Sequence, residues 1–188
     1  MSRLTHKAYD DLNEEQQALY NQLTETRKAS DDGVIGGPFD VWLQNPDLGK
    51  RIVGLGGTFR FGTSVDRRYI ELVILITGQF WQAQFEWYAH EPMAVKSGVP
   101  QNLIDSIKTG SKPEFDSNED RIVYEMCTEL HRDHQVSDSV FEEMTTVFGE
   151  QGVMELVNLA GYYTMVSMTL NTFRVPLPEG ASYPFPRI

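Results

Sequence analysis

The stretch "ELVILITGQFWQAQFEWYAH", Glu71 to His90, limits the possible folds more than any other part of this chain. It is the most apolar segment, yet it begins with a carboxylate and ends with Glu86 and His90. Ionised groups in such company cost free energy unless they are paired or hydrogen-bonded. The fold must therefore place these three groups at the surface or bring them together inside. "LVILI" is continuous and β-branched, which suits a strand. The flanking pattern is helical, however, and no partner strands are evident, so the expectation is two consecutive helices with a bend near Gly78.

The rest of the chain repeats this pattern. Asn13 is placed to cap "NEEQQALYNQLTETRKAS", with Leu19 and Leu23 at i,i+4. Residues 31–38 hold three glycines and a proline and read as a loop. "PFDVWLQ" reads as a short helical piece. Asn45 with Pro46 at the first helical position opens the next helix, "DLGKRIVGLGGTFRFG". Gly54, Gly56 and Gly57 weaken that helix or let another backbone approach closely.

Ser64 is the expected cap of the helix through Ile76. The following helix runs from about Trp81 to about Ser97, with Pro92 inside it and Gly98 ending it. Pro100 and Gly110 bound a further short helix. After the polar "SKPEFDSNED", the segment "RIVYEMCTELH" carries an apolar stripe at 122, 123, 126, 127 and 130. Ser137 caps "DSVFEEMTTVF", which Gly149 closes. "GVMELVNLAGYYTMVSMTLNTF" is apolar on several sides and reads as a buried helix.

From Val175 onward the chain holds four of its nine prolines and must lie extended. Tyr183 and Phe185 suggest that this tail packs on something, a neighbouring subunit being one candidate. The fold class is therefore all-α, a bundle of about seven or eight helices with an extended C-terminal tail. Residues 1–188 form one expected domain, with no internal repeat.

Totals exclude several functions. Of 188 residues, 40% are hydrophobic and 11% aromatic, enough for a core, and the net charge is −11. That charge opposes nucleic-acid backbones and anionic membranes, so neither is an expected partner. No apolar run approaches the roughly 20 residues of a membrane helix. "MSRLTHKAYDDLNEEQQ" lacks the apolar region of a secretory signal. The single Cys127 has no internal disulfide partner. Together these point to the cytoplasm.

The candidate chemistry lies at the two ends of the opening stretch. Glu86 and His90 share a helix face at i,i+4, and Ala83 stands one turn earlier. If the chain folds back, Glu71 converges on them, walled by Phe80, Trp81, Phe85 and Trp87. An imidazole beside a carboxylate is held in one tautomer and can exchange a proton near neutral pH. An apolar wall suits reactions that lose charge, such as decarboxylation. The same spacing also suits a surface Glu86–His90 pair, with Glu71 bridged to Arg68 or Arg67.

The run "RRYIELVIL…QAQFEWYAHEPMAVKSGV" resembles the carboxymuconolactone decarboxylase superfamily, which includes the alkylhydroperoxidase D-like proteins. The matching elements are Arg68, Glu71, Leu72, Glu86, Trp87, His90, Ala94 and Gly98. "GPFDVWLQNPDLG" upstream and "GYYTMVSMTLNTFRVPLP" downstream are similar to one subgroup. The resemblance implies an all-α bundle, assembled as a homo-oligomer such as a trimer or hexamer, with a pocket between helices near the subunit interface.

In the peroxidase branch a Glu, a Cys-x-x-Cys pair and a His relay protons. Glu71 and His90 fall on the Glu and the His, but Ala83 and Glu86 fall on the two cysteines. A thiol peroxidase needs a low-pKa cysteine and a way to resolve its sulfenate. Cys127 lies on the apolar stripe of another helix and reads as a core residue.

The decarboxylase branch uses no cofactor. It implies a small lactone or carboxylic acid as substrate, His90 as proton shuttle and Glu71 as its orienting partner. Glu86 is then a second acid/base or a polar wall. Arg68, Trp87, Phe80, Ala83 and Tyr162 are the expected substrate contacts, with Arg68 on a substrate carboxylate and Tyr162 or Tyr163 offering a phenol.

Two further classes stay open: an alkylhydroperoxidase-like antioxidant and a non-catalytic oligomeric bundle that binds a small apolar ligand. "GLGGTFRFG" lacks the preceding strand of a phosphate loop. "HRDH" places His131 and His134 at a helix end that reads as solvated. A metal site there would need a third ligand; Glu71, Glu86 and His90 could bind a divalent metal, but a di-iron bundle needs two Glu-x-x-His pairs, so no metal is expected.

Overall fold

A computed structural model describes residues 2–186. A 3-10 turn at Tyr9–Asp11 precedes α1 (Glu14–Thr24), α2 (Phe39–Trp42), α3 (Pro46–Phe61) and α4 (Arg67–Phe80). These are followed by α5 (Gln84–Lys96), α6 (Gln101–Thr109), α7 (Asn118–Asp133) and α8 (Asp138–Phe173). The described residues contain no strand. None of their helices is long and apolar enough to cross a membrane.

Local chemistry sets the helix starts. Asn13 and Gln16 form a reciprocal capping box on α1, which satisfies two N–H groups that the first turn would leave orphaned. Asn45 caps α3 with Pro46 in its first turn. Ser117 and Ser137 cap α7 and α8. The cap of α4 is Asp66 and not Ser64. Ser64 is engaged elsewhere: its N–H and its hydroxyl donate to Glu155 Oε2 of α8 at 2.9 and 2.8 Å.

Helix α4 is the central element. Its residues 70–78 are all buried, and it packs against α5, α7 and α8. Burial on every side overrides the strand propensity of "LVILI", since packing decides where propensity is weak. The reversal into α5 comes at Gln82, with φ 48°, and not at Gly78, which stays in the last turn of α4. Gln82 supports its own left-handed backbone by donating from Nε2 to Gln79 O at 2.7 Å. Helix α5 therefore begins at Gln84, later than the spacing suggests, and runs through Pro92.

Helix α8 spans both expected C-terminal helices. They are separated by a break at Gly149, whose φ of 66° and ψ of 169° are not helical. The tail after Arg174 packs on its own chain through Phe185. That side chain is buried and meets Trp87 edge to face at 5.2 Å. Gln84 fixes its backbone with two hydrogen bonds, to Phe185 O at 3.1 Å and from Phe185 N at 3.0 Å. Tyr183 is 41% exposed. A smaller apolar cluster, Leu12, Leu19, Leu23 and Leu43, joins α1 to the segment after α2.

Candidate active site

The hairpin of α4 and α5 brings the opening carboxylate back to the closing histidine. Glu71 is fully buried, and Glu86 and His90 are 4% and 6% exposed. His90 Nδ1 meets Glu71 Oε2 at 2.7 Å, across 19 positions of sequence. Its Nε2 lies 3.0 Å from Glu86 Oε1, one turn earlier on α5. Glu71's other oxygen is taken by Arg67 at i,i+4 on α4. Arg67 in turn donates to the carbonyl of Arg60 at the end of α3. Tyr163 from α8 closes one side, edge-on to the His90 ring at 5.3 Å.

A neutral imidazole carries one N–H, so it can donate to only one of two flanking carboxylates. Carboxylates at both nitrogens favour the doubly protonated ring. Burial opposes that charge, but the fields of Glu86 and Glu71 outweigh it and raise His90 to about 8. Burial likewise works against the Glu71 carboxylate, yet the His90 bond and the Arg67 charge hold it below its ordinary value. At neutral pH the arrangement is thus a carboxylate–imidazolium–carboxylate chain, with a proton held ready to give.

The chain of groups ends at a cavity of about 230 Å³. His90 and Glu86 form part of its wall, with Tyr162 and Tyr163 of α8 beside them. Phe39, Trp42, Phe85 and Val166 supply apolar surface, and Arg27 and Arg60 also line it. Among the described residues, no cluster of three or more His, Cys, Asp or Glu side chains has an arrangement that would hold a metal ion.

No protein-family model matches this sequence, and no curated protein matches it. Solved structures do. An uncharacterized peroxidase-related protein from Silicibacter sp. TM1040 superposes with a TM-score of 0.73 at 12% identity, over 93% of this chain and 91% of that one. The alkylhydroperoxidase AhpD core of an uncharacterized peroxidase-related protein from Ralstonia eutropha JMP134 gives 0.75 at 12% identity, over 95% and 93%. The chain has the alkylhydroperoxidase D-type fold. At this identity the likeness concerns architecture alone.

Within this alkylhydroperoxidase D-type fold, Glu86, His90 and Tyr162 line the cavity, Glu71 stands fully buried behind His90, and four other expected contacts lie away from it. Arg68 turns to α7, where Nε donates to Asp120 Oδ1 at 3.1 Å and a second nitrogen reaches Oδ2. Arg67, one full turn before Glu71, is the arginine at the site. Phe80 is 47% exposed and stacks on His131 at 4.7 Å. Nine residues at about 100° each put it about 180° around α4 from Glu71. Trp87 neighbours Glu86 in sequence but packs on Phe185 instead. Ala83 is the extended N-cap of α5, with ψ 94°, so helical spacing does not carry it to the Glu86 face.

Other sequence readings change as well. His131 is not a solvated helix end: it stacks on Phe80 and its Nε2 lies 3.1 Å from Thr77 Oγ1, while burial lowers its basicity. Tyr162 lines the cavity, but its hydroxyl already donates to Ile52 O at 3.2 Å. Burial pushes both its phenol and that of Tyr163 upward, away from ionisation. The glycines of "GLGGTFRFG" now have a role: a Cβ at Gly56 would stand 2.2 Å from the Tyr162 hydroxyl. Sequence reasoning overlooked Arg60, in that same segment, and Arg27. Their signal was charge in a glycine-rich helix and beside a glycine-rich loop.

Proposed function

We propose that this protein is an acid/base enzyme of the carboxymuconolactone decarboxylase type, acting through its own side chains on a small lactone or carboxylic acid. The observation that carries this reading is the buried His90, held between Glu71 and Glu86 on the wall of a cavity. Glu71 fixes the ring through Nδ1, which leaves the Nε2 edge and Glu86 toward the substrate. In a decarboxylation the C–C bond to the carboxylate breaks and carbon dioxide leaves. The electron pair stays on the α-carbon as an enolate, and the His90 imidazolium donates its proton there. Solvent then restores the proton through Glu86. Apolar walls raise the free energy of the departing carboxylate, provided another group orients it.

The thiol reading has less support in these residues. Cys127 is fully buried in the core, and burial pushes its thiol far from ionisation. A sulfenate chemistry needs the thiolate and access to peroxide. The test is a panel of small lactones and keto acids, alongside hydrogen peroxide and an alkyl hydroperoxide. Turnover of a lactone or keto acid, falling as pH rises through about 8 where His90 loses its proton, is the expected result. Peroxide consumption abolished by Cys127→Ser, with no panel turnover, would overturn it.

A further inference from the structure

Arg27 and Arg60 are the two charged groups at this cavity that the proton chain does not use. Both line it, and both are only partly exposed. Arg67, Arg68 and Arg121 each have a carboxylate partner. Among the described residues, Arg27 and Arg60 have none within ion-pair distance. Arg27 lies over the Phe39 ring at 4.2 Å and donates only to the hydroxyl of Thr26, at 2.9 Å. Arg60 has one nitrogen 3.4 Å from Met93 Sδ, and its Nε is enclosed with no hydrogen-bond partner.

A buried donor without an acceptor is destabilising until a ligand or water supplies one. Two like charges at one cavity repel as well, and burial together with the Arg60 charge pushes Arg27 downward. In a chain of net charge −11, acidic partners for these arginines are abundant, yet neither has one. Arg27, Arg60 and the His90 imidazolium outnumber the one carboxylate in the wall, Glu86, so the cavity is an electropositive hollow in an acidic protein, which concentrates anions.

We propose that Arg60 and Arg27 are the anion anchor of this cavity, and that its occupant is a small organic acid with an apolar body. A carboxylate that takes no part in the reaction sits between the two guanidiniums, and the reacting end reaches His90. Apolar surface from Phe39, Trp42, Phe85 and Val166 takes the body of the ligand. The volume of about 230 Å³ accommodates a single ring, since a cavity of about 150 Å³ holds benzene. The inference deepens the acid/base reading of the same site, but it is a statement about binding and needs no turnover.

Calorimetric titration with benzoate and with its neutral isostere benzamide tests it on the full chain. Wild type is expected to bind benzoate at least about 10-fold more tightly, the scale of one charge-assisted hydrogen bond. Arg60→Met and Arg27→Met should each remove most of that preference while leaving benzamide unchanged, and Arg60→Lys should restore part of it. If one variant fails to fold, the wild-type comparison and the other variant still decide. Equal binding of the two probes by wild type, or a preference that survives both arginine substitutions, overturns the anchor. The arginine-dependent preference should persist in His90→Ala. A preference for benzoate in a protein that turns over nothing on the panel would sink the enzyme and keep the anchor. Equal binding in an active enzyme would do the reverse.

Discussion

Replacing His90 with alanine is expected to lower turnover of the best panel substrate by about 10²- to 10⁴-fold, the usual contribution of a positioned acid or base. The helical fold should survive. Glu71 would keep Arg67 as its partner, so no carboxylate is stranded in the core, and Glu86 already lines the cavity. Glu71→Gln should also slow the reaction, because it removes the charge that fixes the ring and favours its proton. Steady-state rates, with far-UV circular dichroism as the control for folding, check both. A His90→Ala enzyme within about twofold of wild type would mean that catalysis, if present, does not pass through this residue.

Arg68→Met is expected to behave in the opposite way, with a large loss of stability and little loss of chemistry. Asp120 is fully buried and held by Arg68 through two contacts. Removing one member of such a pair leaves an uncompensated charge, at a cost of about 3–5 kcal/mol. Urea unfolding should show that loss, whereas turnover per folded molecule stays close to wild type. The double variant Arg68→Met/Asp120→Leu should recover much of the stability, since an apolar pair of similar volume is often tolerated. If Arg68→Met instead raised KM strongly with unfolding unchanged, the arginine would belong to the substrate site after all.

These two arginines show how far sequence reaches here. Helix existence was readable because caps and apolar stripes are local: Asn13, Asn45 and Ser137 all cap as their chemistry requires. Glu71, Glu86 and His90 were readable because i,i+4 spacing and one hairpin suffice to join them. Arg67 and Arg68 are both within a turn of Glu71, and only the position of α7 decides which one goes to Asp120. The orientations of Phe80 and Trp87 depend on where α4 ends and on the tail that returns to cover α5. Ser64 was drawn away from capping by Glu155, 91 positions distant.

Arg27 and Arg60 reach the cavity from the loop after α1 and from the end of α3. No local spacing joins them to His90. The same limit explains the glycines of α3, whose role appears only once Tyr162 from α8 lies against Gly56.

The central claim is that a buried imidazole shares its proton with two carboxylates, and titration of the His90 ring by NMR tests it most directly. The account predicts an apparent pKa of about 8 in the wild-type protein, displaced downward in both Glu71→Gln and Glu86→Gln. A ring that titrates at or below its ordinary value of about 6.5, unmoved by either substitution, would contradict it.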